Sequence, residues 1–166
     1  MNRIFIPFLL PALAHAETYE YAFSPHGQSL PLVLKTIQSA QKEILVAGYT
    51  FTSKPVSVAL LEAHKRGVSV SVVVDEKSNR HFTAAQFLAN AGVPVRTDSH
   101  YPIMHNKFIV VDGVTIETGS FNYSAAAANK NAENVLVIHG APDLAGSYAQ
   151  EWRRLWNESA DLPTKY

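Results

Sequence analysis

His105-Asn106-Lys107-Phe108-Ile109-Val110-Val111-Asp112, followed after six residues by Gly119-Ser120-Phe121-Asn122, is the stretch on which the reading of this chain turns. Phe108 to Val111 form a short continuous apolar run, the pattern of a strand buried on both faces. Asp112-Gly113 is a two-residue turn signal, and Val114, Ile116 and Thr118 then alternate with Thr115 and Glu117 along a returning strand. Such a hairpin carries Gly119 and Ser120 back towards His105 and Lys107. Two residues apart in extended backbone, His105 and Lys107 leave the same face, so an imidazole and an ammonium share one surface. By itself that pair is commonplace on protein surfaces.

The spacing makes it less so. The string reads HxK, four residues, D, six residues, GSxN, with fixed positions at His105, Lys107, Asp112, Gly119, Ser120 and Asn122. It resembles the signature of the phospholipase D superfamily without departure. Asn131-Ala132-Glu133 follows where that family carries a downstream carboxylate. The resemblance implies a two-step displacement through a covalent phosphohistidine, with no metal or other cofactor required. It also implies two histidines, one attacking phosphorus and one protonating the leaving oxygen, whereas the HxK string occurs here once.

Around the motif, alternating strand and helix signals fill the chain. Thr18 to Phe23 reads as a strand, and Ser29 as the cap of a helix carrying Leu30, Val33, Leu34 and Ile37. Glu43 to Phe51 follows as a largely apolar strand, a βαβ start. Ser53 and Pro55 open a second helix, with Val56, Ala59, Leu60 and Ala63 on one face and Gly67 past its end. Val68 to Asp75 is a valine-rich strand. A third helix around Thr83 to Ala91 is expected to bury Ala84, Phe87, Leu88 and Ala91, with Gly92 as its cap and Val93 to Arg96 as the next strand. Beyond the hairpin, Ser124 to Lys130 suits one or two helical turns and Asn134 to Ile138 a buried strand. A final helix from Pro142 shows a stripe of Leu144, Tyr148, Trp152, Leu155 and Trp156, read as core or dimer packing. This pattern predicts an α/β sandwich, a mixed sheet flanked by helices that is parallel at first and antiparallel around the motif.

The 166 residues suit one domain. Met1-Asn2-Arg3, the apolar run Ile4 to Leu13 and Ala14-His15-Ala16 have the layout of a secretory signal peptide over residues 1–16, cleaved before Glu17. The alternatives are a membrane anchor or a buried first helix, but the run is short for a span and holds Pro7 and Pro11. The expected product is a single domain, 17–166, in the periplasm or outside the cell, without stable membrane insertion. There are no cysteines, so export brings no disulfide. Fourteen basic residues balance fourteen acidic ones, so bulk charge does not mark a nucleic-acid binder and any phosphate site must be local.

Phosphodiester cleavage needs a nucleophile, positive charge on the non-bridging oxygens and a proton for the leaving oxygen. His105 suits the first need if an acceptor holds its other ring nitrogen, a role the resemblance suggests for Glu133. Lys107 suits the second, with Ser120 and Asn122 adding hydrogen bonds. Asp112, seven residues from His105 and at the far end of a strand about five residues or 16 Å long, reads as structural, together with Gly113 and Gly119. Lys54, Lys77 and Arg80 follow the carboxyl ends of early strands, where open α/β sheets bind ligands, and are the candidate substrate cations. Small one-motif members with an export leader resemble bacterial endonucleases, so the expectation is a low-specificity nuclease acting on DNA, or on RNA, as a homodimer with a shared site. His26, His64, His81, His100 and His139 lack the flanking residues of His105, so a second copy is the expected source of the second histidine. The other readings are a phospholipase or phosphatidyl transferase, and a non-catalytic module that binds phosphate.

Overall fold

The computed structural model describes residues 16–80 and 84–165. The signal-peptide reading and His81 lie outside the described residues, apart from Ala16. Among the described residues eight strands form one sheet: β1 (Thr18–Ser24), β2 (Glu43–Gly48), β3 (Ser69–Asp75), β4 (Val95–Asp98), β5 (Lys107–Val111), β6 (Thr115–Gly119), β7 (Glu133–His139) and β8 (Ala160–Asp161). Their order across the sheet is β1-β7-β6-β5-β2-β3-β4-β8. β2, β3 and β4 are parallel, and every other pairing is antiparallel. This is the mixed sheet that the pattern predicts.

Helices α1 (Ser29–Ser39), α2 (Lys54–Lys65), α3 (Ala84–Asn90) and α4 (Ala125–Asn129) cover one face, where Val33, Ile37, Leu60 and Leu88 pack on Val46, Val72, Ile109 and Val137. On the other face α5 (Pro142–Glu158) lays Ala145, Ala149, Trp152 and Leu155 on Ala47, Val73, Phe108 and Val110. The Trp152 indole N–H donates to the Val46 carbonyl at 2.9 Å, locking α5 to the central strand. β5 is buried along its whole length, as a strand between two helical layers must be.

Several local expectations shift. Ser29 is the first residue of α1 rather than its cap; Gln28 holds the cap position, and the buried Ser29 hydroxyl has no hydrogen-bond partner among the described residues. Pro31 is tolerated in that first turn because its missing N–H has no helical acceptor there. β1 and β2 are not neighbours, since β7, β6 and β5 lie between them. β2 ends at Gly48, and Phe51 forms only a single bridge to Tyr123. β4 spans Val95–Asp98 rather than starting at Val93.

On α3 the inward residues are Ala85, Leu88 and Ala89, leaving Phe87 at 45% exposure and Ala91 exposed. On α5 Leu144 is likewise exposed, with Tyr148 and Trp156 half-buried. Both differences have one cause. A helix lying close on a sheet presents its alanines, and bulky neighbours move to the flanks.

Candidate active site

The register of the sheet assembles the site. Gly48 at the end of β2 pairs with Lys107 at the start of β5, and Phe108 pairs with Thr118 near the end of β6. The end of β2, the start of β5 and the end of β6 therefore share one edge. The hairpin closes at the opposite end through Asp112 and Gly113, at φ +52° and +67°, the left-handed pair that a two-residue turn requires.

His105 and Lys107 line the same cavity of about 410 Å³, with Asn106, Thr118, Gly119 and Tyr148 among its walls. Lys107 is almost fully buried, and its ammonium donates to the His105 carbonyl at 2.7 Å. Burial pushes the Lys107 pKa down, while the Glu133 carboxylate pulls it up. The ammonium also lies 5.2 Å from the centroid of the Tyr49 ring. The same ring meets the His105 imidazole in a T-shaped contact, centroids 4.6 Å apart and planes at 61°.

Glu133 differs from expectation. One of its oxygens accepts from the Ser120 hydroxyl at 2.6 Å and the other from the Asn131 amide at 2.9 Å. Within one chain it makes no hydrogen bond to His105; it begins β7, two strands away from β5, and acts on the site through Lys107. Ser120 also accepts from the Asn134 N–H at 3.1 Å, so it joins the β6 exit to the β7 entry. The Asn122 side-chain oxygen accepts from the Thr50 N–H at 3.4 Å. Gly119 is required by close approach: a Cβ there would meet the Asn134 carbonyl oxygen at 2.2 Å.

Asp112 accepts from the backbone N–H groups of Gln41, Lys42 and Glu43 at 2.9, 2.7 and 2.9 Å. Burial would raise its pKa, but these three donors outweigh it and hold the carboxylate below its ordinary range. Its carboxylate thus closes the hairpin onto the start of β2, at the far end from the cavity.

The candidate substrate cations are spread out. Lys77, in a 3₁₀ turn (Lys77–Asn79), donates to the Pro102 carbonyl at 3.1 Å and so reaches the loop that carries His105. Arg80 lies 3.9 Å from Glu76, and Lys54 is the exposed first residue of α2.

Five residues of the site's surroundings are not legible in the motif: Tyr49, Asp75, Asn79, Glu117 and Tyr123. Asp75, buried at the end of β3, accepts from Ser78 N–H at 2.8 Å and from Met104 N–H, next to His105, at 2.9 Å. Asn79 donates to the Tyr49 carbonyl at 2.7 Å and accepts from the Phe51 N–H at 3.0 Å. A carboxylate closing a run of buried valines at the end of a parallel strand was the available signal. Among the described residues no cluster of three or more His, Asp or Glu side chains is arranged to hold a metal ion, and no helix is long and apolar enough to cross a membrane.

Residues 33–156 match the family described as cardiolipin synthase, PLD-like domain. A phospholipase D of Rickettsia bellii is 36% identical over 131 residues, covering 78% of this chain and 65% of that protein. A mitochondrial cardiolipin hydrolase of Xenopus tropicalis is 36% identical over 139 residues, 81% of this chain and 64% of that protein. The chain thus spans a little under two thirds of the length of these curated relatives. Nuc from Salmonella typhimurium, whose crystal structure is that of a phospholipase D family member, superposes with a TM-score of 0.88 at 43% identity, over 90% of this chain and 100% of Nuc. NucT from Helicobacter pylori shares the fold, with a TM-score of 0.78 at 19% identity.

Proposed function

The chain belongs to the phospholipase D-like family, and from that premise we propose that it is an exported phosphodiesterase that cleaves nucleic acid, DNA in the first place, with little sequence specificity. The observation that carries the chemistry is the meeting of His105 and a buried Lys107 at one cavity. The Lys107 ammonium neutralises a phosphate oxygen while an imidazole nitrogen of His105 attacks phosphorus. The P–O bond to the leaving oxygen breaks, and a second imidazole protonates that oxygen. Water then gives a proton back to the second imidazole and attacks the phosphohistidine, breaking its P–N bond, releasing a phosphomonoester and restoring His105.

The second imidazole comes, in this reading, from a second copy of the chain. The His105 ring has no hydrogen-bonding carboxylate among the described residues of its own chain, while Glu133 lies near enough to act on Lys107. A two-fold dimer that joins the cavities brings two His105, two Lys107 and two Glu133 side chains to one phosphate, and each Glu133 can then serve the opposite His105.

Nucleic acid is favoured over lipid by the resemblance of this one-motif sequence to small bacterial endonucleases, and the chain is 43% identical to Nuc against 36% for the relatives named phospholipase D and cardiolipin hydrolase. Lipid phosphodiester hydrolysis is the second reading. It is supported by those relatives' names and by Tyr19, Tyr21 and Phe23, all more than half exposed on one face of the edge strand β1. The test is incubation of the purified protein with plasmid DNA, a short RNA, and cardiolipin or phosphatidylcholine vesicles, all in EDTA. Nicking of DNA without release of phosphatidic acid is expected. Lipid turnover alone would establish the second reading, and tight DNA binding without nicking would establish a phosphate-binding module. Export is tested by the intact mass of the secreted chain, expected to begin at Glu17.

A further inference from the structure

We propose that Tyr49 is a positioning residue of this site: its ring sets the orientation of the His105 imidazole and the place of the Lys107 ammonium beside it. The proposal rests on the reading of His105 and Lys107 as the reacting pair. Neither the motif nor its spacing contains Tyr49, which lies at the exit of β2, more than fifty residues before His105.

The geometry is specific. One half-buried ring makes the T-shaped contact to the imidazole at 4.6 Å and receives the ammonium at 5.2 Å. Aromatic pairs at such separations prefer edge-to-face arrangements, and an ammonium is attracted by the negative face of the ring. The Lys107 ammonium is otherwise tied to the His105 backbone carbonyl. The ring thus touches both groups, and the ammonium is tied to the backbone of the residue that carries the imidazole. Among the described residues the imidazole has no hydrogen-bonding carboxylate to fix its plane, so the aromatic contact supplies that restraint in the single subunit.

Tyr49 is itself held. Asn79 bonds its carbonyl and, through the Phe51 N–H, the backbone two residues on. Asn79 also donates to the Asp75 carbonyl at 2.8 Å, and the Asp75 carboxylate takes the Met104 N–H, one residue before His105. The backbone carrying Tyr49 and the backbone carrying His105 are therefore fastened to the same buried pair at the end of β3. Their separation is set by one rigid joint rather than by two independent loops. In contrast, the Thr50 N–H meets Asn122, so the same short segment also touches the GSxN end of the motif.

The experiment compares Tyr49→Phe, which keeps the ring, with Tyr49→Leu and Tyr49→Met, which remove it. Two readouts are taken: the imidazole resonances of His105 in histidine-labelled protein, assigned through His105→Ala, and turnover of bis(p-nitrophenyl) phosphate. Tyr49→Phe should keep the ring-current shift of His105 and a kcat within about twofold of wild type, whereas the ringless variants should lose the shift and at least about tenfold in kcat. KM should change less than kcat, because the ring acts through His105 and Lys107. His105 resonances unmoved in a folded Leu or Met variant overturn the proposal. So does a Tyr49→Phe protein that loses the shift or falls as far as the others, a result readable even if neither ringless variant folds. Wild-type protein that turns over no phosphodiester, yet shows the His105 shifts as expected, sinks the phosphodiesterase reading and leaves the positioning of His105 by Tyr49 standing.

Discussion

Tyr123 donates its hydroxyl hydrogen to the Glu117 carboxyl at 2.7 Å, and both side chains are fully buried on the sheet face that carries Lys107. Glu117 lies opposite Ile109, one step inward from the cavity, and the backbone carbonyl of Tyr123 accepts from Thr52 and Ser53 at the start of α2. The pair braces the wall behind the site. Burial raises the Glu117 carboxyl to about 8, against a lowering by the Tyr123 hydrogen bond, and burial together with Glu117 pushes the Tyr123 hydroxyl up.

The sign of the resulting pH dependence follows. Below the ordinary carboxyl value of 4.5 Glu117 is protonated in both folded and unfolded chains, and its contribution to stability is fully present. As pH rises towards about 8, the unfolded chain ionises while the folded one holds its proton, and stability is lost. The limiting slope is about 1.4 kcal/mol per pH unit. Glu117→Gln removes this titration and keeps an acceptor for Tyr123. Urea unfolding at pH 5, 6.5 and 8 should show the Gln variant gaining on wild type at each step, and a pH-independent difference would show that Glu117 is not held neutral.

Much of this arrangement is written locally and some of it is not. The hairpin is legible because Phe108 to Val111, Asp112-Gly113 and the alternation after it are adjacent signals. The inward face of α3 departs from expectation at Phe87 because hydrophobic periodicity favours large side chains, whereas contact with a flat sheet selects Ala85, as it selects Ala145 and Ala149 on α5. Tyr49 and Asn79 carry no signal at all at sequence level. They meet only because β2 and β3 run parallel with Gly48 opposite Val74, so that both strands end at the same edge. Glu117 sits in an alternating pattern that also fits a solvent-facing position, and only the helices on both sides of the sheet decide otherwise.

His105→Ala and Lys107→Ala should each lower phosphodiesterase turnover by at least about a hundredfold in a folded protein. Asp112→Asn should act on stability instead, by about 1–3 kcal/mol, because an amide cannot accept all three hydrogen bonds from Gln41, Lys42 and Glu43 as a carboxylate does. Steady-state kinetics beside urea midpoints separates the two effects. An Asp112→Asn protein of normal stability that is as inactive as His105→Ala would reverse the assignment.

Lys77 reaches the loop before His105, whereas Arg80 and Lys54 are exposed near the ends of strands that lead towards the site. If they grip the phosphate backbone, replacing each by Ala should flatten the dependence of log K on log salt by about one unit. Fluorescence anisotropy with a labelled oligonucleotide across a salt series measures the slope. Equal slopes for wild type and all three variants would make these residues ordinary solvated charge.

The shared site makes the most discriminating prediction. When wild type and His105→Ala are mixed in equal amounts and allowed to exchange subunits, chance pairing leaves a quarter of the dimers with two wild-type chains and half of them mixed. If cleavage needs one His105 to attack and the other to protonate, the mixed dimers are dead, and about half of the original wild-type activity survives. Independent sites would leave all of it. Native mass spectrometry verifies exchange before activity is read, and full activity in the verified mixture, or in a protein monomeric at assay concentration, rules out the shared site.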